Sequence, residues 1–583
     1  MECHWWLQKM GWFTKLKGFK NFRLDWVFPV LTGIAGYCLV TGGKILWPAN
    51  IAWLSKGDLA QSYLGWGFYR WSPWGFPLGA SPGFGLEMSN CSFLAGTVFP
   101  LDLFFKALSP WLPEPFQYWG MCLLLYYILQ AYLGWKLLGL FTENRTLRNL
   151  GGAFFLFAPP FLTRFGHISV CGHWAILAAL YLYLSHKESS KQILWPLLLC
   201  VNFMISPELF AMGGMFWLAD WAGRLSEKKA RPTQWLREAS LILIISLFAL
   251  WQTGFFLVRD GKTAAGYGFY KMNLLSPIDS NGWSYLLQDI PGGEGEFEGF
   301  QYPGLGLLLL MVGLLPIVLL RGISIGSRRK PLLMAFFLLA LFAITPKVGI
   351  GSFQFTISVP GCCYTWGNTF RGSGRFFWPV FYCGLLYILV AVIRIFTPRM
   401  AALIMAAALG VQVADTSAGW LQIRDFLSIS GSSWESPMKS TFWAEAASRY
   451  DKIRLVQPKT CPAGSARIPS WSDIAYYALI HKKGTDAAYL ARTDKGRRAL
   501  LEGKYARLLE EGAFDGDSLY IFDNKEHFET VSKAIHGQNQ ERHLLAEIDG
   551  FYVFAPNYLS PSSDIGTAEG GGQNHLGRVD GMN

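Results

Sequence analysis

A helix needs roughly 17–25 apolar residues to cross a bilayer, and this 583-residue chain offers about eleven segments near that length. They fall at about 27–46, 117–140, 149–165, 168–185, 192–206, 208–222, 239–258, 303–320, 331–346, 376–393 and 400–414. Charged residues make up only 16% of the chain, against about 25% in soluble domains. The pattern predicts a polytopic α-helical membrane domain over residues 26–415. The stretch CSFLAGTVFPLDLFFKAL, with Asp102 and Lys106 inside it and a proline-bounded end, reads as an interfacial or re-entrant helix rather than a span.

The charges between the apolar segments set an orientation. Arg145 and Arg148, Lys187 and Lys191, Lys228, Lys229 and Arg231, Arg321 to Lys330, and Arg394 and Arg399 all fall on alternate turns. The loops on the other side are longer and carry fewer basic residues. By the positive-inside rule the basic turns and the N-terminus are cytoplasmic. The net charge of +11 is then a topology signal rather than a nucleic-acid footprint. Residues 1–25, with Lys9, Lys15, Lys17, Lys20 and Arg23 among Trp5, Trp6, Trp12 and Phe13, resemble an interfacial helix rather than a cleaved leader.

From about residue 416 the chain changes character. Strand-like runs (KIRLV, DAAYLAR, SLYIFDN, GFYVFAP) alternate with helix-like runs (SDIAYYALIH, KGRRALLEGKYARLLEEG, HFETVSKAIH). Residues 416–558 are expected to form a small α/β domain, extracytoplasmic given an odd number of spans. Residues 559–583 are Gly- and Ser-rich and are expected to be disordered. Ten cysteines show no metal spacing; a bridge from Cys362 or Cys363 to Cys91 or Cys461 stays open.

The polar residues worth attention all fall in the loops opposite the basic turns. Asp58 and Arg70 lie in the first, within KGDLAQSYLGWGFYRWSPWGFPLG, whose aromatics suit a membrane–water boundary. Arg164, His167 and His173 lie at the third-to-fourth hairpin and Glu208 at the fifth-to-sixth. Asn273, Asp279, Asn281, Glu294, Glu296 and Glu298 occupy the next loop, and Arg371 and Arg375 the last. A carboxylate beside a bilayer is costly and often functional. Asp58 can act as a general base or merely cap a helix. The two arginines can bind a phosphate or anchor lipid headgroups. Glu208 can sit in the first turn of a helix for electrostatic reasons alone. The Glu294/Glu296/Glu298 alternation also suits a solvated strand edge. His167 and His173, six residues apart, do not share a helical face, which argues against metal.

The order GDLAQSYLGWGFYRWSPWGFPLG, RFGHISVCGHWAIL, NLLSPIDSNGWS, EGEFEGFQYPGLG and FRGSGRFFWP resembles an uncharacterised family of bacterial inner-membrane proteins grouped with the GT-C glycosyltransferases. The resemblance implies a GT-C-like fold and transfer of a sugar from a polyprenyl-phosphate donor to a glycan, lipid or protein acceptor on the periplasmic face. It implies Asp58 as the loop-one acid. Arg70, Arg164, His167, His173, Glu208, Arg371 and Arg375 are the substrate-binding candidates. No cofactor is assigned. A divalent metal stays open, because many GT-C enzymes carry a second acid near the first outer loop; here only Glu87 and Asp102 stand near it. The alternatives are a flippase or transporter of lipid-linked glycans, or a non-catalytic subunit of a polysaccharide assembly system.

Overall fold

The structure is a computed structural model that describes residues 24–88, 91–92, 95–185, 188–228, 231–258, 266–321, 329–456, 471–490, 494–536 and 540–559. Most of the expected interfacial segment and of the expected tail lie outside these residues. Helices α1 (Val27–Thr41), α2 (Gly57–Trp71), α3 (Phe99–Ala107), α4 (Trp119–Leu138), α5 (Arg145–Leu156) and α6 (Trp174–Leu184) come first. Next are α7 (Glu188–Ile205), α8 (Pro207–Ser226), α9 (Pro232–Gln252), α10 (Leu305–Arg321) and α11 (Arg329–Ile344). A hairpin of β1 (Lys347–Ile350) and β2 (Phe353–Thr356) separates these from α12 (Trp378–Ile395) and α13 (Pro398–Leu427).

Among the described residues five helices are long and apolar enough to cross a membrane: Leu24–Thr41, Trp119–Leu138, Pro232–Gln252, Ser373–Ile395 and Pro398–Leu427. Four shorter apolar helices accompany them. Several carry an apolar face turned outward. On α9, Leu243, Ile244, Leu247 and Phe248 are exposed while Ile242, Ser246 and Ala249 are buried; on α11, Leu333, Met334, Phe337, Leu338 and Leu341 are exposed. Exposed apolar stripes of this extent are what a helix facing lipid requires.

The segment read as a span over 149–165 is not one continuous helix. Helix α5 ends at Leu156, a short helical turn follows over Pro159–Leu162, and a 3-10 turn runs over Thr163–Gly166. The paired prolines Pro159 and Pro160 explain the break, because neither can donate to the preceding turn. The short α3 matches the expected non-spanning helix. Helix α13 continues well past residue 414, the end of its apolar run, and carries Asp415, Arg424 and Asp425 within it.

Helices α7, α8 and α9 are pinned by a buried ionic network. Asp220 takes Lys191 at 2.8 Å and Arg224 at 3.0 Å, and Arg224 reaches Glu238 at 2.8 Å. Trp195 and Trp217 donate to Asp220 and Glu238 at 3.0 Å each. Buried charges persist when paired and hydrogen-bonded in this way.

The C-terminal unit comprises α14 (Thr441–Arg449), β3 (Lys452–Val456), α15 (Trp471–Ile480), β4 (Gly484–Thr485), α16 (Lys495–Glu511), β5 (Ser518–Phe522), α17 (Lys525–Ala534), β6 (Leu544–Ile548) and β7 (Phe551–Ala555). Its sheet has the order β4-β3-β5-β7-β6, parallel from β4 to β5 and antiparallel beyond. This agrees with the α/β reading of the alternating runs except at DAAYLAR: β4 ends at Thr485, and residues 486–490 form no strand.

The first long loop of the helical domain completes this sheet. Phe84 pairs in parallel with Thr485 at the β4 edge. Gly85 N–H donates to the Thr485 carbonyl at 2.8 Å and Thr485 N–H to the Gly83 carbonyl at 2.9 Å. Glu87, one turn later, takes Arg454 of β3 in a two-pronged contact at 2.6 and 2.7 Å. Helix α2 packs on α15, where Gly67 leaves room for Leu479. The Trp434 ring stacks on Tyr476 at 4.5 Å and lies 5.5 Å from Tyr63.

Candidate functional site

Asp58 stands in the first turn of α2, where negative charge is favoured. It is not the cap: that position is Lys56, and no side chain caps the helix. Its carboxylate instead meets His167, with Oδ2 to Nε2 at 3.1 Å. His167 ends the 3-10 turn that follows the Pro159-Pro160 break. About half of the Asp58 side chain and a third of His167 are exposed, and protein surrounds the imidazole on its other sides. Burial pushes the imidazole below its usual value, against the opposing pull of Asp58 and Glu298.

Behind this pair lies a buried ionic hub. Glu298 Oε2 accepts from Arg164 Nη1 at 2.5 Å. Arg375 Nε and Nη2 reach the two Glu298 oxygens at 2.9 and 2.8 Å. Arg164 also donates to the backbone carbonyls of Phe297 and Glu298 at 3.2 Å each. Glu298 Oε1 lies 3.9 Å from His167, and Arg375 Nη1 lies 3.6 Å from Glu208. Glu208 in turn accepts from the hydroxyl of Ser206, the cap of α8, at 2.5 Å. Burial disfavours the charge on Glu298, but Arg375 and Arg164 outweigh it and hold the carboxylate well below its usual range.

The backbone around the hub explains its glycines. EGEFEG folds as a 3-10 turn over Glu296–Gly299, entered through Gly295 at φ +84°. The alternating glutamates are therefore not a strand edge. Glu296 is turned away, to Lys271 at 2.8 Å and Asn273 at 2.7 Å, which fixes the loop. A Cβ on Gly374 would come within 2.5 Å of the Gly299 Cα, and one on Gly299 within 2.5 Å of the Lys271 carbonyl. Only glycine allows the Glu298 and Arg375 loops to pack this closely.

The structure thus brings together Asp58, Arg164, His167, Glu208 and Arg375, and adds Glu298 at their centre. It places the other candidates elsewhere. Arg70 sits at the far end of α2, about 18 Å along the axis from Asp58. There it donates to the carbonyls of Ser109, Leu112 and Pro113 at 3.0–3.2 Å. Arg371 donates to the Tyr270 hydroxyl at 2.7 Å. His173 is fully buried, bonded to the Tyr382 hydroxyl at 2.7 Å, with its ring 4.0 Å from Trp378. Trp378 separates it from Arg164, whose guanidinium lies 5.4 Å from the same ring.

Neither acid considered as a partner for Asp58 joins it. Glu87 is held by Arg454. Asp102 is enclosed by the hydroxyls of Ser92, Thr97 and Tyr118. Burial pushes its carboxyl up to about 6, against those hydrogen bonds. Among the described residues no group of three or more His, Cys, Asp or Glu side chains is placed to hold a metal ion. Among the described residues Cys362 and Cys363 form no disulfide; Cys461, one possible partner, lies outside those residues.

The cluster sets three carboxylates (Asp58, Glu208, Glu298) against two guanidiniums (Arg164, Arg375). Both arginines are committed to Glu298, so they form no vacant anion fork. The carboxylate most open to an incoming group is Asp58. The arrangement can take a proton from a hydroxyl delivered to Asp58, with Arg375 close enough to stabilise nearby negative charge.

Comparison with known proteins finds no match among curated proteins. A family model described as "DUF6311 C-terminal domain" matches residues 442–556, the sheet-containing unit. A second, "Domain of unknown function (DUF6311)", matches residues 30–417, from α1 into α13. That match spans well over half of the chain and takes in every member of the charged cluster, so the protein belongs to the DUF6311 family.

Proposed function

We propose that the protein is a multi-pass glycosyltransferase of GT-C type in a bacterial inner membrane. It has about eleven spans, a cytoplasmic N-terminus, and both the charged cluster and the C-terminal unit on the periplasmic face. It moves a sugar from a polyprenyl-phosphate donor to a cell-envelope acceptor. The acceptor hydroxyl attacks the anomeric carbon, its proton passes to Asp58, and the bond to the phosphate breaks with its electrons on the departing polyprenyl phosphate. His167 orients the Asp58 carboxylate. Arg375, anchored by Glu298 and with Nη1 turned towards Glu208, offsets charge growing on the leaving phosphate.

The observation that carries this reading is the half-open Asp58 carboxylate, bonded to His167 at the edge of a cluster drawn from distant loops. The test is release of polyprenyl phosphate from polyprenyl-phosphate-linked sugars in membranes containing the protein. Asp58→Asn should lower release by about 100-fold or more, with expression and unfolding temperature preserved because the side chain is half-exposed. Undiminished release would remove Asp58 as the base.

A flippase is the second reading. It is favoured by the helix break at Pro159-Pro160, since discontinuous helices recur in transporters. Intact donor moving between leaflets, with no polyprenyl phosphate released, would establish it instead. The topology is checked separately. A reporter fused after Asn557 should read as extracytoplasmic, and a cytoplasmic signal would overturn the side assigned to the site.

A further inference from the structure

The C-terminal unit holds a cavity of about 130 Å³ between α16 and the sheet. Its wall includes three cationic side chains, Arg454, Lys504 and Arg507, one acid, Asp515, and the rings of Phe514 and Tyr520. Lys504 and Arg507 stand three residues apart on α16 and so share a face. Arg454 comes from the middle of β3, and Asp515 from the turn before β5.

The charges of this wall do not cancel within it. Arg454 is balanced chiefly by Glu87, at 2.6 Å, and Asp486, at 3.3 Å, neither of which lines the cavity, and lies 3.9 Å from Asp515, which does. Lys504 has its nearest carboxylates, Glu87 and Asp515, at 3.5 and 3.7 Å. Both distances are longer than the roughly 2.7–2.9 Å of a direct charge-assisted hydrogen bond. Arg507 is exposed, and among the described residues its guanidinium has no hydrogen-bonding or ionic partner. The wall thus carries three cations and one acid; Lys504 is loosely shared between Glu87 and Asp515, and Arg507 is the cation left to meet an incoming anion.

The volume limits the occupant. Sites for drug-sized ligands run to about 300–1,000 Å³, so this cavity takes one compact group. The rings of Phe514 and Tyr520 supply apolar faces beside the cations, a combination suited to a polar body with a C–H face and an oxyanion.

We propose that this cavity binds a compact oxyanion, a carboxylate or phosphate borne on a single sugar-sized body. The site is separate from the Asp58 cluster and does not depend on glycosyl transfer being the reaction there.

The test is calorimetric titration of the full-length protein in detergent with inorganic phosphate, glucuronate and glucose, repeated on a Lys504→Ala/Arg507→Ala double variant. Both positions are solvent-exposed, so the variant keeps its fold, and an unchanged unfolding temperature verifies this. Arg497→Ala/Arg498→Ala, on the same helix outside the wall, removes the same charge and serves as the comparison. The expected result is binding of phosphate or glucuronate, at least tenfold weaker in the Lys504/Arg507 variant, unchanged in the Arg497/Arg498 variant and weakened by salt. Phosphate alone binding assigns a phosphate, free or esterified; glucuronate alone assigns a sugar acid. Either supports the site. Three results would overturn it: neither anion binds, glucose binds as well as the anions, or the Lys504/Arg507 variant binds them undiminished.

Discussion

Glu298 joins Arg164 to Arg375, and its removal should be felt more strongly than that of any residue at the cluster's edge. Glu298→Ala leaves two buried guanidiniums without their common partner, a change that typically costs about 3–5 kcal/mol. The expected outcome is a large fall in unfolding temperature, whereas Asp58→Asn leaves it nearly unchanged. The sign of the pH dependence follows from the same contacts. The Glu298 carboxylate is held well below its ordinary 4.5, so the stability it contributes is present above that pH and lost as pH falls through the depressed value. Glu298→Gln should abolish that acid-dependent part, read from unfolding curves between neutral and strongly acidic solution. None of this is legible locally. Arg164 and Glu298 are 134 residues apart, and an ion pair across that separation leaves no mark in the sequence near either residue. Asp58 was legible because a carboxylate amid interfacial aromatics is itself an anomaly. Arg70 looked equally anomalous, yet it holds three carbonyls of a turn.

Helices were the most readable elements, because apolar run length depends only on neighbouring residues. The apolarity of residues 149–165 does not show that the helix breaks after Leu156, where Pro159 and Pro160 withdraw two backbone donors. The EGEFEG loop misleads for a different reason. Alternation of period two imitates a strand, while Gly295, at φ +84°, permits a tight turn instead. The glycines that matter are those where two backbones touch. Gly374→Ala would thrust a methyl group to within 2.5 Å of the Gly299 Cα. Since backbone on both sides cannot yield like a side chain, the substitution should cost about 1–3 kcal/mol or more. It should also separate the loops carrying Glu298 and Arg375. Activity should fall with stability here, unlike in Asp58→Asn, and parallel measurement of both distinguishes positioning from chemistry.

At the scale of the whole molecule, the helical domain and the C-terminal unit share a sheet edge, an ionic clasp and the packing of α2 on α15. Thr485→Pro removes the N–H that donates to Gly83 at 2.9 Å. It should open the seam, seen as faster proteolysis around residues 83–88 with helix content by circular dichroism maintained. That a sheet-containing unit follows the helical domain was readable from composition, but the change near residue 416 falls inside α13, which runs to Leu427, and the C-terminal family model begins only at residue 442. The seam was not readable, because its strand is a single bridge at Phe84 within an aromatic, glycine-rich loop. That bridge has a consequence in time. Thr485 follows Phe84 by 401 positions (485 minus 84). At about 5–20 residues per second of synthesis, the early loop waits roughly 20–80 s for the strand that closes it. Until then the segment leading away from Asp58 has no final partner. A polypeptide released early from the ribosome would carry the acid without its finished surroundings.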